Sequence, residues 1–173
     1  SFEVFPPNNS DARAAMHQTV DRLAPVAEHG FSVTMGAGGA TRSATVDAAT
    51  EIAVRTGRPV MAHLISLGLS RSEVMETAGA LWESGIRNVL ALRGDRPKVG
   101  ASALPIGFEH ASDMVTALRL QHDFEIAVAA HPEKHPEAET QDQDIDYLKR
   151  KLDAGASSAY CQFVLDPAIY GKF

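Results

Sequence analysis

Glu3 stands between Phe2 and Val4 in the opening stretch "SFEVFPP", a carboxylate inside an apolar run. Such a group either finds a partner or takes a proton, and a protonated carboxyl at neutral pH is a general acid. The plain alternative is an outward-facing residue on an exposed strand. "LALRGDRP" (90–97) sets Arg93, Gly94 and Asp95 in succession after another apolar run. A guanidinium suits phosphate and a carboxylate suits a heterocycle, unless the two charges pair with each other. "AAHPEKHPEAE" (129–139) spaces His131 and His135 with Glu133 and Glu137. It is not the H-E-x-x-H metal motif, and Pro132 and Pro136 break any helix through it. No metal site is expected, and a rigid loop that contacts a ligand fits better. Gln162, in "AYCQFVLD", is an amide in an apolar strand, and a buried amide needs partners that a ligand can supply. Its neighbour Cys161 reads as packing rather than as a nucleophile.

Two further stretches carry weaker signals. "TMGAGGATRSAT" (34–45) sits between a strand and a helix, but the G-x-G-x-x-G spacing fails at Thr41 and no Walker lysine follows. Tight-turn glycines and close backbone approach to a flat or phosphate-bearing ligand both remain open. "DIDYLKRK" (144–151) places Lys149, Arg150 and Lys151 on a helix, where a solvated face is the ordinary reading.

These groups need elements to hold them. Strand patterns fall at 2–5, 31–35, 59–65, 87–93, 124–130 and 158–165, each followed by a helical pattern. In "SRSEVMETAGALWESG", Val74, Ala78, Leu81 and Trp82 share one face, Ser70 or Ser72 caps the start and Gly85 fits the end. "DIDYLKRKLDAG" turns Ile145, Leu148 and Leu152 inward and stops at Gly155, while the first helix ends or kinks near Pro25. Apolar strands alternating with amphipathic helices imply a parallel sheet covered by helices. Thr34, His63, Arg93, Asp95, His131, Gln162 and Asp166 fall at or past the ends of successive strands. An open sheet concentrates chemistry at one switch point, whereas every barrel strand delivers to one mouth. The expectation is an α/β fold, a (β/α)8 TIM-type barrel with six of its eight units in residues 1–173. This is a single partial catalytic domain whose remaining strands lie beyond residue 173.

A length of 173 residues is ample for one core and short for two. Net charge of −6 argues against nucleic acid or an anionic membrane as partner. No apolar run is long enough to span a bilayer. One cysteine excludes an internal disulfide framework and fits a reducing cytoplasm. The chain starts almost inside a strand without an initiator methionine, as a piece of a longer polypeptide would.

In order, "SFEVFPP", "SVTMGAGGATR", "AHL", "LALRGD", "HPEKHPEA", "LKRKLDAGA" and "QFVLD" resemble the methylenetetrahydrofolate reductase family over essentially the whole chain. The resemblance implies an eight-stranded barrel holding FAD. Hydride would pass from NADH or NADPH to 5,10-methylenetetrahydrofolate by way of the flavin, giving 5-methyltetrahydrofolate. Glu3 matches the family's general acid, which protonates N10 of the folate. A free glutamic acid titrates near about 4.3 and a donor at neutral pH needs about 6–7, a change expected here from Phe2 and Phe5. Asp95 matches the carboxylate beside flavin and folate, and Gln162 the residue that hydrogen-bonds folate. By the same resemblance Thr34, Met35 and Ala37 line the flavin, while His63, Arg93 and Gly94 contact its ribityl-diphosphate region. His110, Ala111, His131, His135, Ala138, Asp144, Tyr147, Arg150 and Lys151 complete the FAD site. The family usually has tyrosine where His131 stands, and often at His110. The implied partners are methylenetetrahydrofolate and NAD(P)H, with monomer and homo-oligomer both open. The alternatives are a folate-linked enzyme on this barrel that does without FAD, and a non-catalytic binding homologue.

Overall fold

The computed structural model describes residues 1–36, 41–95 and 104–173. Six strands run through it: β1 (Phe2–Val4), β2 (Phe31–Val33), β3 (Val60–Ile65), β4 (Asn88–Leu92), β5 (Glu125–Ala130) and β6 (Ser158–Cys161). They alternate with helices α1 (Ser10–Leu23), α2 (Arg42–Thr56), α3 (Arg71–Glu83), α4 (Ala111–Gln121), α5 (Gln141–Asp153) and α6 (Pro167–Lys172). Every neighbouring pair is parallel and the spatial order is the chain order. A doubly wound sheet would reverse direction partway. This sheet never does, and it curls into a half-barrel with its helices outside. The expected architecture is met by six βα units.

Alternation along each strand decides what faces what. Phe31, Val33, Val60, Ala62, Leu64, Val89 and Ile126 are buried among the helices. Phe2 packs its ring on Phe31, 6.2 Å between centroids, on this same side. The intervening positions turn to the concave side, where Glu3, Ser32, Met61, Asn88 and Glu125 form one register-matched row.

Helix starts follow local chemistry. Asn9 caps α1, Thr140 caps α5, and Ser70 caps α3 in a reciprocal box with Glu73. Gly85 and Gly155 take positive φ behind α3 and α5, as their positions suggested. A short 3-10 turn over Ala24–Val26 carries Pro25 past the end of α1. Two surface histidines also have partners. His17 lies 2.8 Å from Glu51, and the His122 ring stacks on Trp82 at 4.9 Å.

The strands are shorter than the apolar runs. β1 stops before Phe5, which is 74% exposed, and β6 stops at Cys161. Beyond Cys161 only the Gln162 N–H continues the ladder, to Ala130. As the edge strand β6 has one neighbour, so Cys161 and Gln162 are exposed rather than packed.

The return of the long segment after β4 is pinned by Ser66. Its hydroxyl is fully buried, donates to the Phe108 carbonyl at 2.7 Å and accepts from the Phe108 N–H at 3.3 Å. Gly107 N–H donates to the Ser66 carbonyl and Gly68 N–H to that of Pro105. Ser66→Ala leaves two buried backbone groups at Phe108 without a partner, a cost of about 1–3 kcal/mol. Urea unfolding of the full-length protein should show that loss, and an unchanged midpoint would contradict it.

Candidate active site

The concave wall and the strand ends hold two groups of polar side chains. The first spans β1 to β3. Glu3 Oε2 lies 3.8 Å from His63 Nε2, with 54% of the glutamate side chain and 12% of the imidazole accessible. Neighbouring parallel strands lie about 4.8 Å apart, so this contact crosses β2 entirely. The small Ser32 on β2 leaves room for it. Burial pushes the His63 imidazole below its ordinary range, and the Glu3 charge partly opposes that. Phe2 and Phe5 do not supply the dry surroundings expected for Glu3, because alternation sends Phe2 to the helix side and Phe5 is exposed.

The second group gathers where β4 and β5 end. Arg93 is held by Glu137 through two 2.7 Å hydrogen bonds, and its Nε donates to the Gly94 carbonyl at 3.1 Å. These bonds to Glu137 are the main reason the guanidinium is raised above its ordinary range. The alternative of an Arg93–Asp95 pair is not what forms; the hydrogen-bonded partner of Arg93 is 44 residues away in the chain. Asp95 is exposed and acts on both Arg93 and His131 through its charge. Gly94 has φ +94, and a Cβ there would lie 2.8 Å from Ile65 Cγ2, so glycine alone lets the chain turn between these two charges.

His131 and His135 meet edge to face with centroids 4.7 Å apart. Burial pushes His131 down, joined by the charge of His135; Asp144 and Asp95 oppose this, and Lys151 adds to it. Glu137 N–H donates to His135 Nδ1 at 3.1 Å, which leaves the Nε2 edge for a ligand. His135 N–H in turn donates to the buried Asp144 at 2.9 Å. Lys151 Nζ donates to the Ala129 carbonyl at 2.6 Å, and burial depresses the ammonium. Arg150 lies over the Tyr147 ring at 5.5 Å.

The remaining expected positions divide. Thr34 receives the backbone of β1, its N–H donating to the Val4 carbonyl at 3.1 Å. Its own carbonyl accepts from Thr45 Oγ1 at 3.0 Å. Met35 and Ala138 are buried, Met35 in the hydrophobic core. His110 immediately precedes Ala111 at the start of α4, with a side chain that makes no capping bond. Gln162 is exposed and accepts from the Phe163 N–H at 3.2 Å. Ala37 lies outside the described residues.

Two contributors were missed from sequence. Glu137 was noted only as a metal candidate, although it holds Arg93. Lys134, at φ 73, ties the histidine loop together through the carbonyls of His135 and Ala138. A lysine between two His-Pro pairs was the available signal for the second; nothing local announced the first. Among the described residues no three His, Cys, Asp or Glu side chains cluster as a metal would require, and no helix is long and apolar enough to cross a membrane.

The family profile for methylenetetrahydrofolate reductase matches residues 1–173. The chain is 41% identical over 173 residues to the 5,10-methylenetetrahydrofolate reductase of Pectobacterium carotovorum and 40% identical to that of Escherichia coli. It is covered in full in both alignments and spans 57% of each relative's length. A Zea mays protein named methylenetetrahydrofolate reductase (NADH) 1 is 33% identical over 186 residues, with 31% of its length covered. Among solved structures, oxaloacetate acetylhydrolase superposes with TM-score 0.68 at 15% identity over 99% of this chain and 60% of its own. A phosphonomutase from Burkholderia cenocepacia gives 0.65 at 16% identity over 97% and 70%. At such identities the likeness speaks for the barrel and not for the chemistry.

Proposed function

Because the chain belongs to the methylenetetrahydrofolate reductase family, we propose that it is the larger part of a single catalytic barrel domain. That domain reduces 5,10-methylenetetrahydrofolate to 5-methyltetrahydrofolate with FAD and NAD(P)H, in the cytoplasm. Two further βα units complete the wall. The observation that carries this reading is a polar pair on the concave face, Glu3 with His63, beneath a mouth lined by Arg93, Asp95, His131 and Lys151.

The donor set suits FAD. In a chain of net charge −6, Arg93, Lys151 and the two imidazoles gather at the ends of adjacent strands, as a diphosphate requires. Arg93, Gly94, His63 and Lys151 would hold the diphosphate side, and Thr34 the ring side. His110, Ala111, Tyr147 and Arg150 extend toward the far end of the cofactor. When bound, FAD supplies hydride transfer; the chain supplies position, a proton and dryness.

Glu3 delivers a proton to N10 of the substrate, so that the methylene carbon breaks its bond to N10 and becomes a cationic iminium on N5. A pterin over the concave face would lie against Glu3 and exclude water from the proton transfer. Asp95 favours the cation by its negative charge. Gln162 has both a donor and an acceptor for the pterin edge.

The full-length protein should purify yellow, lose its flavin band on anaerobic addition of NAD(P)H and recover it on addition of methylenetetrahydrofolate. Colourless protein that ignores added FAD would defeat the flavin part. Recovery with oxygen but not with the folate would defeat the substrate.

A further inference from the structure

We propose that His63 is the positioning and proton-supplying partner of Glu3. It aims the carboxyl from two strands away and returns a proton to it after each turnover. The inference rests on the general-acid reading of Glu3 and extends it to a residue whose expected task was only to touch the cofactor.

The geometry is specific. A glutamate on β1 and a histidine on β3 meet only if both face the concave side and the strand between them carries a small residue. All three conditions hold: Ser32, level with Glu3, is the small residue on that strand, and Nε2 and Oε2 are 3.8 Å apart. At that separation the two groups share a proton through a small rotation or one water. The surroundings isolate the pair. β2 contributes Ser32 and Thr34 beside it, and β4 contributes Leu90 and Leu92, none of them charged. Among the described residues Glu3 supplies the one charge that acts on the imidazole.

Such a pair supports a balanced cycle. The acid gives up its proton as its O–H bond breaks and N10 gains a hydrogen. The resulting carboxylate raises the basicity of the adjacent imidazole, which rests as its Nδ1–H tautomer and takes a proton from solvent at Nε2. That proton passes from Nε2 to the carboxylate, and the imidazole is again the neutral Nδ1–H tautomer it began as. No oxidant or reductant enters. Because His63 is mostly buried while Glu3 opens to the concave face, the proton reaches the pair from that face.

Two measurements on the full-length protein test this. The first follows the His63 ring by NMR against pH, in the flavin-free protein, with and without Glu3→Gln. The imidazole should titrate at lower pH in the variant, since the charge that raises it is gone. An unchanged or higher midpoint overturns the pairing. The second records the pH profile of folate-driven flavin reoxidation in His63→Gln. We expect a loss of about 10²-fold, the lower end of what positioned proton transfer contributes, with the profile displaced at its acidic limb. Loss without a displaced profile means that His63 only packs, and overturns the proton role. If Glu3→Gln leaves reoxidation intact, the general-acid reading fails instead, whatever His63 does.

Discussion

Glu3→Gln should reduce folate-driven reoxidation of the flavin by about 10²–10⁴-fold, while NAD(P)H still bleaches it at close to the original rate. The amide matches the carboxylate in size but has no proton of suitable acidity. N10 then leaves only as a poor, unprotonated amide-like base, and the iminium does not form. Hydride delivery from NAD(P)H asks nothing of an acid on β1, so the two half-reactions separate. Stopped-flow absorbance under anaerobic conditions reads both. Parallel loss of the two rates would mean that Glu3 shapes the flavin site rather than acidifying the folate. Folding is not at risk, because the side chain is half open to solvent and its ion-pair partner among the described residues is the imidazole.

Gly30→Ala should prevent the chain from accumulating as folded protein, or lower its stability by about 3–5 kcal/mol. Gly30 has φ +77, and a Cβ there would lie 2.0 Å from the Pro59 carbonyl oxygen. That oxygen cannot retreat cheaply, because it accepts the Phe31 N–H that opens the β2–β3 ladder. The Gly30 carbonyl in turn accepts from Phe2 N–H at 3.2 Å and seats β1. One methyl group therefore strains a left-handed residue and pries apart three strands at their common start. Expression level and denaturant midpoint, compared with Gly57→Ala as control, would reveal it. The Gly57 φ is +63 but nothing lies within 4 Å of its added Cβ, so the control carries the strain of the angle alone. Equal losses at the two positions would show that the clash contributes nothing.

The amino-acid order discloses part of this architecture. Strands and helices were readable because β-branched runs and 3.6-residue periodicity report on burial, which is local in the chain. The barrel was readable because polar residues recur at one end of each strand, a pattern the consecutive order β1 to β6 explains. Strand ends were overestimated at Phe5 and at 163–165. Apolar character persists there after hydrogen-bonding neighbours have run out. The paired charges were the least legible. Arg93 chose Glu137 over the nearby Asp95 because two loops converge, and loop convergence leaves no trace in spacing. The approach of His63 to Glu3 depends on a small residue between them, a condition visible only once register is known. Met35 is buried in the core and Gln162 is exposed beyond β6, because a periodic pattern names a face and the neighbours decide how dry it is.

The acid and the amide assigned to the folate stand on the first strand of the arc and just past the sixth, on opposite sides of the concave face. A substrate that touches both measures the curvature of everything between. A small change in strand tilt would leave each βα unit locally intact and yet move acid and amide apart, so turnover becomes a gauge of the wall's shape. On this view, substitutions that soften the sheet far from any ligand should weaken folate chemistry before they weaken the fold.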